Sequence, residues 1–233
     1  MQPGFRVIPA VDVLGEEAVR LVQGRFDRVG VRAGDPAALA RHFVELGAEL
    51  IHVVDLDGAR TGRIRPDVVS RIAEAARPAA IQASGGIRST ADAELLLGAG
   101  AARVVVGTAA LAVEDAPARF ARALGDRLVV ALDARDGRVA VAGWTEETGV
   151  PVAEAAERCA DAGVARVLCT AIDRDGTLSG PDLDLLRRIV DASGVPVLAA
   201  GGIATPDDLD AVAALGCEGA VVGRALLDGP LAG

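Results

Sequence analysis

The stretch IQASGGIRSTADAELLLGAGAARVVVGTA at 81–109 is matched in pattern by VLAAGGIATPDDLDAVAALGCEGAVVGRA at 197–225. In each copy an apolar run ends in Gly-Gly-Ile, and a second apolar run ends in a glycine 21 residues after that glycine pair. Gly85 and Gly107 each have a counterpart 116 residues further along the chain. Because the offset is the same at both motifs, the sequence predicts an internal duplication of one structural unit.

Short apolar runs alternate with amphipathic stretches along the whole chain. Strands are predicted at 6–12, 50–55, 80–84, 103–106, 128–133, 166–170, 195–200 and 219–222. Their nearly continuous Val, Ile, Leu and Ala content is typical of parallel strands that are buried on both faces. Helical periodicity predicts helices at 36–46, 66–76, 90–98, 117–124, 152–162, 183–192 and 206–215.

Eight strands that alternate with helices predict a single (β/α)8 barrel, a TIM barrel of the α/β class. We place this one domain at 1–233, with half-barrels of approximately 1–124 and 125–233. Few residues follow the eighth strand, so the eighth helix is expected to be abbreviated or absent. The competing fold is a doubly wound open sheet, but its GxGxxG turn does not follow the first strand.

The charge and amino-acid composition of the chain limit which binding partners and which cellular location we expect. A net charge of −9 and a pI of about 4.8 argue against nucleic acid or a membrane surface as partner. The chain has no apolar run of about eighteen residues, and Arg6 and Asp12 interrupt its first segment, so we expect neither a membrane helix nor a signal peptide. We therefore predict a cytoplasmic protein. With an aromatic content of only 2%, we expect a monomer without a large protein interface.

The basic residues, cysteines and histidines restrict the chemistry. All 24 basic residues are arginine, so a Schiff base or a pyridoxal phosphate linkage to the protein is excluded. Cys159, Cys169 and Cys217 lack CxxC spacing and are interpreted as reduced core thiols. His42 and His52 form no zinc-ligand pattern, and His52 is interpreted as a structural residue that faces the helical layer. We expect no metal and no cofactor.

Two strand-end aspartates are the candidate catalytic groups, because active sites of such barrels lie at the carboxyl ends of the strands. Asp12 ends the first strand and Asp133 ends the fifth, which lies opposite in an eight-stranded ring. Such a pair can act as general base and general acid if the surroundings separate the two pKa values. Alternatively, each aspartate caps a loop or pairs with an arginine, but two at matched positions favour catalysis. Thr170 and Asp175 are predicted to support them.

The repeated glycine motifs are candidate phosphate sites. Glycine leaves the backbone N–H groups open to a ligand, and N–H groups at the start of a helix bind anions. The predicted sites combine Gly85, Gly86, Gly107 and Thr108 in one half with Gly201, Gly202, Gly223 and Arg224 in the other. Tight turns or packing are the alternative roles, but the repeated spacing favours phosphate. Two such sites predict a small-molecule substrate with a phosphate at each end.

Further residues near the same strand ends are candidate substrate contacts. Trp144, the only tryptophan, follows a glycine-rich, loop-like stretch after the fifth strand. It either belongs to the core or forms a lid that stacks on a planar ring of the ligand. Ser84 precedes the first glycine pair, and Gly176 and Thr177 follow Asp175 in what is either a turn or a binding loop.

Taken together, these motifs resemble one enzyme family. They include IPAVDV, VRLVQG, HVVDLD, SGGIR, VVVGTAAL, ALDARDGRV, GW, CTAIDRDGTLSGPDLDLL, LAAGGI and VVGRALL, from about residue 6 to 228. The set resembles the phosphoribosyl isomerases of histidine biosynthesis, HisA and its actinobacterial relative PriA. The resemblance implies a duplicated half-barrel without metal or cofactor. It also implies an Amadori rearrangement, from aminoaldose to aminoketose, of a phosphoribosylformimino-aminoimidazole carboxamide ribonucleotide that carries two phosphates.

Carried over to this chain, the resemblance assigns roles to the candidate residues. Asp133 is expected to be the general acid that protonates the ribose ring oxygen, and Asp175 is a second candidate for that acid. Asp12 is expected to be the general base that removes the proton from C2. The ring would open to an iminium built on the substrate's own nitrogen, which requires no lysine. Arg20 matches an arginine that contacts substrate in the PriA type.

PriA-type enzymes also isomerise phosphoribosyl anthranilate in tryptophan biosynthesis. That activity is associated with an arginine two residues before the loop tryptophan, where this chain has Ala142. Ser84 and the stretch GTLSGPDLDLL nevertheless resemble the PriA type. We predict that histidine-pathway isomerisation dominates, with the dual-substrate enzyme as the alternative.

Two other functions are less consistent with the sequence. The cyclase of imidazole glycerol phosphate synthesis shares the duplicated barrel, but that family has PCLDV with a nearby lysine where this chain has IPAVDV. A non-catalytic barrel that binds phosphosugars would need the glycine motifs only. The presence of both Asp12 and Asp133 favours an enzyme.

Overall fold

A computed structural model of the chain describes residues 4–232. Over that range the strands are β1 (Arg6–Leu14), β2 (Glu17–Val22), β3 (Arg25–Gly34), β4 (Leu50–Asp55), β5 (Ala80–Ser84), β6 (Arg103–Val106), β7 (Leu128–Arg135), β8 (Arg138–Val141), β9 (Glu146–Pro151), β10 (Val167–Ala171), β11 (Val197–Ala200) and β12 (Gly219–Val222). The helices are α1 (Pro36–Glu45), α2 (Leu56–Thr61), α3 (Pro66–Ala75), α4 (Thr90–Gly98), α5 (Thr108–Leu111), α6 (Ala116–Leu124), α7 (Val152–Asp161), α8 (Leu183–Ser193) and α9 (Pro206–Ala214).

Eight of the strands form a closed parallel barrel in the order β1, β4, β5, β6, β7, β10, β11 and β12. Parallel pairing of β1 with β12 closes the ring, with Ile8 opposite Val221. The strands β7 and β10 also pair in parallel, with Asp133 opposite Thr170. Helices connect successive barrel strands. The predicted TIM barrel is therefore confirmed, and each predicted strand differs from the observed one by no more than two residues at either end.

Two antiparallel hairpins project beyond the barrel, and the sequence analysis did not predict them. β2 and β3 continue from the carboxyl end of β1, while β8 and β9 continue from that of β7. The interpretation of the stretch before Trp144 as a loop was therefore wrong. β3 and β9 are mostly exposed, so they lack the continuous apolar run that marks a buried parallel strand. Because both hairpins continue from the carboxyl ends of parallel barrel strands, they lie at the same end of the barrel.

The core has an inner and an outer part. Side chains that point into the barrel, such as Ile8, Val129 and Leu198, form a small apolar cluster inside the ring. Side chains of the opposite strand faces pack with the helices in a much larger cluster that includes Phe43 and Phe120. Burial of both strand faces explains the nearly unbroken apolar runs of the sequence. It also leaves the strand ends at the rim as the positions available for polar groups.

Equivalent helix starts in the two halves have the same cap. Ser89 begins α4 with a capping box to Asp92, and Thr205 begins α9 with a capping box to Asp208. These residue pairs are 116 positions apart, the offset of the glycine motifs. The shared cap geometry supports an internal duplication, while the half-barrel limits of about 1–124 and 125–233 stay a prediction.

Two smaller expectations also agree with the structure. After β12 the described residues form only a short 3-10 helix at Arg224–Leu226, so the eighth helix is abbreviated as predicted. The three cysteines are all buried and free, as expected of core thiols. Two four- to six-residue helices, α2 and α5, were not predicted, because they are too short to show a helical period.

No helix within residues 4–232 is both long enough and apolar enough to cross a membrane.

Candidate active site

A cavity of about 270 Å³ opens at the carboxyl ends of the barrel strands, between the two hairpins. All but one of the predicted site residues line it: Asp12, Arg20, Ser84, Gly85, Gly86, Gly107, Thr108, Asp133, Trp144, Thr170, Asp175, Gly176, Gly201, Gly202, Gly223 and Arg224. The exception is Thr177, whose hydroxyl donates to the carbonyl oxygen of Arg174 at 2.7 Å and lies 2.7 Å from the Ser179 hydroxyl. Thr177 thus stabilises the loop after β10.

Asp12 and Arg20 form an ion pair in the lining of this cavity. Asp12 lies near the end of β1, and Arg20 lies on β2, the first strand of the adjoining hairpin. The Arg20 Nη1 atom is 2.5 Å from Asp12 Oδ2, and both side chains are only 11% exposed. Burial alone would lower the pKa of Arg20, but the carboxylates of Asp12 and Asp175 raise it. The guanidinium therefore keeps its charge within the ion pair.

Asp175 lies on the opposite side of the same guanidinium, at a longer distance. Its Oδ1 atom is 3.9 Å from Arg20 Nη2, and its side chain is 16% exposed. Burial raises the pKa of Asp175 to about 6, and the nearby carboxylates of Asp12 and Asp133 add to the effect, while Arg20 opposes it. A carboxyl group with such a pKa is partly protonated near neutral pH. Asp175 can therefore donate a proton as well as accept one.

Asp133 occupies a different environment near the end of β7. Burial raises its pKa, and hydrogen bonds with the side chains of Thr170 and Trp144 partly offset that effect. Thr170 lies directly opposite Asp133 on the neighbouring strand β10, so its hydroxyl is aimed into the same part of the cavity. A raised pKa favours the protonated form, which is the form that a general acid needs.

The two glycine pairs have equivalent backbone geometry. Gly85 has a φ of +103° and Gly201 a φ of +95°, in the region that favours glycine. A Cβ atom at Gly85 would overlap the backbone of Asp55, and one at Gly201 would lie 2.5 Å from the carbonyl oxygen of Ala171. Tight packing against the preceding barrel strand is thus one reason for these glycines. Their position on the cavity wall is the other.

Gly223 has a separate steric role. A Cβ atom there would overlap the guanidinium of Arg20, because that group lies against the Gly223 Cα atom. Its counterpart Gly107 has no such neighbour, since a Cβ atom at that position would meet only the Ala131 methyl at 3.8 Å. Gly223 therefore lets Arg20 reach Asp12 across the end of β12.

Trp144 lies at the turn of the β8–β9 hairpin, next to the turn of the other hairpin. A Cβ atom at Gly24 would be 2.5 Å from the Trp144 ring, so the ring covers that glycine. The Trp144 carbonyl oxygen accepts a hydrogen bond from Arg135 at 3.3 Å, and the Ala142 N–H donates to the Thr108 hydroxyl at 2.9 Å. The two hairpins thus meet over the cavity, and Trp144 forms part of its cover rather than of the core.

The interpretation of His52 was wrong, because this side chain points into the barrel and lines the cavity. Asp55 ends the same strand and faces outward, where Arg65 binds it at 2.5 Å. Side chains alternate along a strand, so His52 must face the side opposite to Asp55. Asp55 and Arg65 are ten residues apart in sequence, so their ion pair could not be recognised from the sequence.

Within residues 4–232, no group of three or more His, Cys, Asp or Glu side chains has a geometry that could hold a metal ion.

Comparison with known proteins gives a consistent result. A protein-family model described as "Histidine biosynthesis protein" matches residues 6–232. A relative from Halobacterium salinarum is 46% identical over 227 residues, which cover 97% of this chain and 93% of the relative. A relative from Roseiflexus sp. (strain RS-1) is 43% identical over 228 residues, covering 97% and 96%. Both relatives are named 1-(5-phosphoribosyl)-5-((5-phosphoribosylamino)methylideneamino)imidazole-4-carboxamide isomerase.

Proposed function

The chain belongs to the histidine biosynthesis protein family, and from this premise we propose that it is the isomerase for which its relatives are named. The reaction converts an aminoaldose into an aminoketose by an Amadori rearrangement. The substrate carries two phosphoribosyl groups, as the relatives' name states. The observation that supports this function best is one cavity in which Asp12, Asp133 and Asp175 lie between two equivalent glycine loops.

The two glycine loops bind the two terminal phosphates of the substrate. Gly85 and Gly86 act with Gly107 and Thr108 in one half of the barrel. Gly201 and Gly202 act with Gly223 and Arg224 in the other half. The chain has a net charge of −9, so the phosphates are held by local backbone N–H groups and arginines rather than by a general positive potential. Ser84 and Gly176 extend these contacts along the wall of the cavity.

Ring opening begins with proton donation from Asp133 to the ribose ring oxygen. The bond between C1 and that oxygen breaks, and the nitrogen lone pair of the substrate forms the C=N bond of an iminium. The raised pKa of Asp133, caused mainly by burial, supports this role. Asp175, with a pKa of about 6, is the second acid in reach and assists it. Thr170 orients the Asp133 carboxyl group.

Proton removal from C2 follows, with Asp12 as the general base. The electrons of the C2–H bond form a C1=C2 bond, and those of the C=N bond return to nitrogen, giving an enolamine. Transfer of the hydroxyl proton away from the C2 oxygen and of a proton to C1 then gives the ketone. Arg20 pairs with Asp12 and links it to Asp175. Trp144 covers the cavity and stacks on the substrate.

Turnover of the two phosphoribosyl substrates, measured side by side, tests this function. We expect the purified chain to isomerise the bis-phosphorylated carboxamide and to act only weakly on phosphoribosyl anthranilate. Ala142 lies in the turn that carries Trp144, with its N–H bound to Thr108, and it offers no cationic side chain for an anthranilate carboxylate. Comparable turnover of both substrates would show a dual-substrate enzyme. Tight binding without turnover of either would show a binding barrel.

A further inference from the structure

Three polar side chains form a hydrogen-bonded chain along the inner face of three neighbouring barrel strands, below the carboxylates. His52 on β4, Gln82 on β5 and Arg103 on β6 are all at least nine-tenths buried. The Arg103 Nε atom donates to Gln82 Oε1 at 2.5 Å, and Gln82 Nε2 lies 2.9 Å from His52 Nδ1. An apolar residue at each position would complete the surrounding cluster of Ile, Leu and Val side chains. The presence of three hydrogen-bonded polar side chains in this apolar surrounding therefore needs an explanation.

The chemistry of each group fixes the direction of every hydrogen bond in this chain. A guanidinium has donors and no acceptor, so the Gln82 atom that faces Arg103 must be the amide oxygen. The Gln82 amide nitrogen then faces His52, and this nitrogen can only donate. His52 Nδ1 must therefore accept. A neutral imidazole that accepts at Nδ1 carries its single proton on Nε2.

His52 remains neutral in this environment. Burial lowers its pKa to about 3, and the positive charges of Arg20 and Arg103 contribute in the same direction. Arg103 keeps its charge at neutral pH, although burial lowers its pKa to about 10, with Arg166 and Arg6 adding to the effect while Glu218 opposes it. The Arg103 guanidinium, the first donor of this hydrogen-bonded chain, therefore stays protonated over the whole physiological pH range.

The last member of this hydrogen-bonded chain of side chains, His52, reaches the active-site cavity. His52 lines that cavity and pairs in register with Ala10, two residues before Asp12 on the adjacent strand. Successive inward positions of neighbouring strands form layers, so His52 occupies the layer directly below Asp12. No hydrogen bond within residues 4–232 engages the His52 Nε2 atom, which leaves its N–H available to a ligand.

We propose that Gln82 and Arg103 are positioning residues that hold His52 with its proton on Nε2, so that the ring donates a hydrogen bond to a ribose oxygen of the substrate. This inference rests on the proposed isomerase function. Since Asp12 removes the proton from C2, the oxygen on that carbon is the acceptor in reach. The hydrogen bond orients C2 toward Asp12 and stabilises negative charge on the C2 oxygen as its own proton leaves.

The tautomer can be read directly by nitrogen-15 NMR of the histidine rings. The chain has only two histidines, and the exposed His42 can be replaced by glutamine, so one ring remains to be observed. In this His42→Gln background we expect a protonated Nε2 and an unprotonated Nδ1 for His52. A proton on Nδ1 instead would overturn the proposal.

Two replacements at Arg103 separate positioning from a merely structural role. Arg103→Lys keeps a donor for the Gln82 oxygen, so we expect it to retain the tautomer and most of the activity. Arg103→Met removes the donor, so the amide is free to rotate and both tautomers become populated. We expect kcat to fall on the order of tenfold to a hundredfold in Arg103→Met, with a smaller change in KM. Equal activity and equal tautomer populations in the two variants would contradict the proposal.

Gln82→Glu provides an independent test that preserves the size of the side chain. The new carboxylate, ionised beside Arg103, accepts from both neighbours and draws the His52 proton to Nδ1. We expect the tautomer to reverse and kcat to fall by about a hundredfold, as when one donor to a reacting oxygen is lost. A folded Gln82→Glu protein with a protonated His52 Nε2 or with full activity would refute the proposal that Gln82 positions His52. If the wild type has the expected tautomer but no isomerase activity, the proposed function and the substrate contact fail together.

Discussion

Asp12 and Asp133 lie near the carboxyl ends of matched barrel strands in the two halves of the molecule, yet they have different partners. Asp12 lies against the guanidinium of Arg20 at 2.5 Å. Asp133 has no comparable ion pair in the described part of the chain, and burial raises its pKa. We propose that the two matched positions carry opposite proton-transfer roles because only one of them has a cation beside it.

A second pair of positions shows the same divergence in the loops after the strands. Asp55 is the last residue of β4 in the first half and is held by Arg65 and by the Gly58 N–H, away from the cavity. The residue 116 positions further along is Ala171, and the carboxylate of that half is Asp175, which faces the cavity instead. The first half uses its carboxylate to stabilise structure, whereas the carboxylate of the second half faces the cavity.

The largest expected effect is that of Asp12→Asn on catalysis. Asparagine keeps the shape of the side chain but cannot accept the C2 proton, so we expect kcat to fall by about a thousandfold or more. Steady-state kinetics measure this loss, and calorimetric titration shows whether the substrate still binds. Asp161→Asn, at an exposed carboxylate on α7, serves as the matched control and should leave kcat unchanged. Activity of Asp12→Asn close to that of the wild type would remove the base from the mechanism.

Asp175→Asn should raise stability at neutral pH while it lowers activity. The pKa of about 6 lies above the usual value of 3.8, so the folded state binds this proton more tightly than the unfolded state. The stability that results is present at low pH and is lost as pH rises through about 6, by at most ~3 kcal/mol. Thermal unfolding at pH 4 and pH 8 should show a stabilising effect of the variant only at pH 8. The same effect at both pH values would contradict the raised pKa.

Gly85→Ala and Gly201→Ala should destabilise the fold by similar amounts. Each glycine has a positive φ, and each added Cβ would meet the backbone of the preceding barrel strand. We expect each change to cost about 2–3 kcal/mol or more, from backbone strain and overlap together. Denaturant unfolding measures both values. A large cost at one position and none at the other would break the equivalence of the two loops.

Much of this account could be predicted from the sequence, because the evidence for it is local. Apolar runs located the eight barrel strands, and the repeated glycine spacing located two equivalent loops. The partner of Asp12 could not be found in this way, because Arg20 lies on a hairpin whose second strand is mostly exposed and resembles a loop in sequence. The facing of His52 was misjudged for a related reason. The face of the strand on which His52 lies follows from the alternation of side chains along β4. The three-dimensional structure shows that alternation, because Asp55 pairs outward with Arg65.

The smallest expected difference separates Gly223→Ala from Gly107→Ala. The added methyl at Gly223 displaces the Arg20 guanidinium, whereas the methyl at Gly107 makes only an ordinary contact with Ala131. Displacement of Arg20 leaves Asp12 without its cation, so we expect kcat to fall about tenfold more in Gly223→Ala than in Gly107→Ala. Since both glycines are proposed to contact phosphate, a change in KM alone, equal in the two variants, would contradict the steric role of Gly223.

The most direct test of the division between base and acid is turnover of a substrate that carries deuterium at C2. It would be compared in the wild type, Asp12→Asn and Asp133→Asn, with substrate binding measured for each. We predict that the wild type releases the deuterium as it forms the ketose, and that both variants bind the substrate but neither forms product. Retained turnover in Asp12→Asn, or a ketose that carries all of the substrate's deuterium at C1, as a direct shift of hydrogen from C2 would give, would contradict the account.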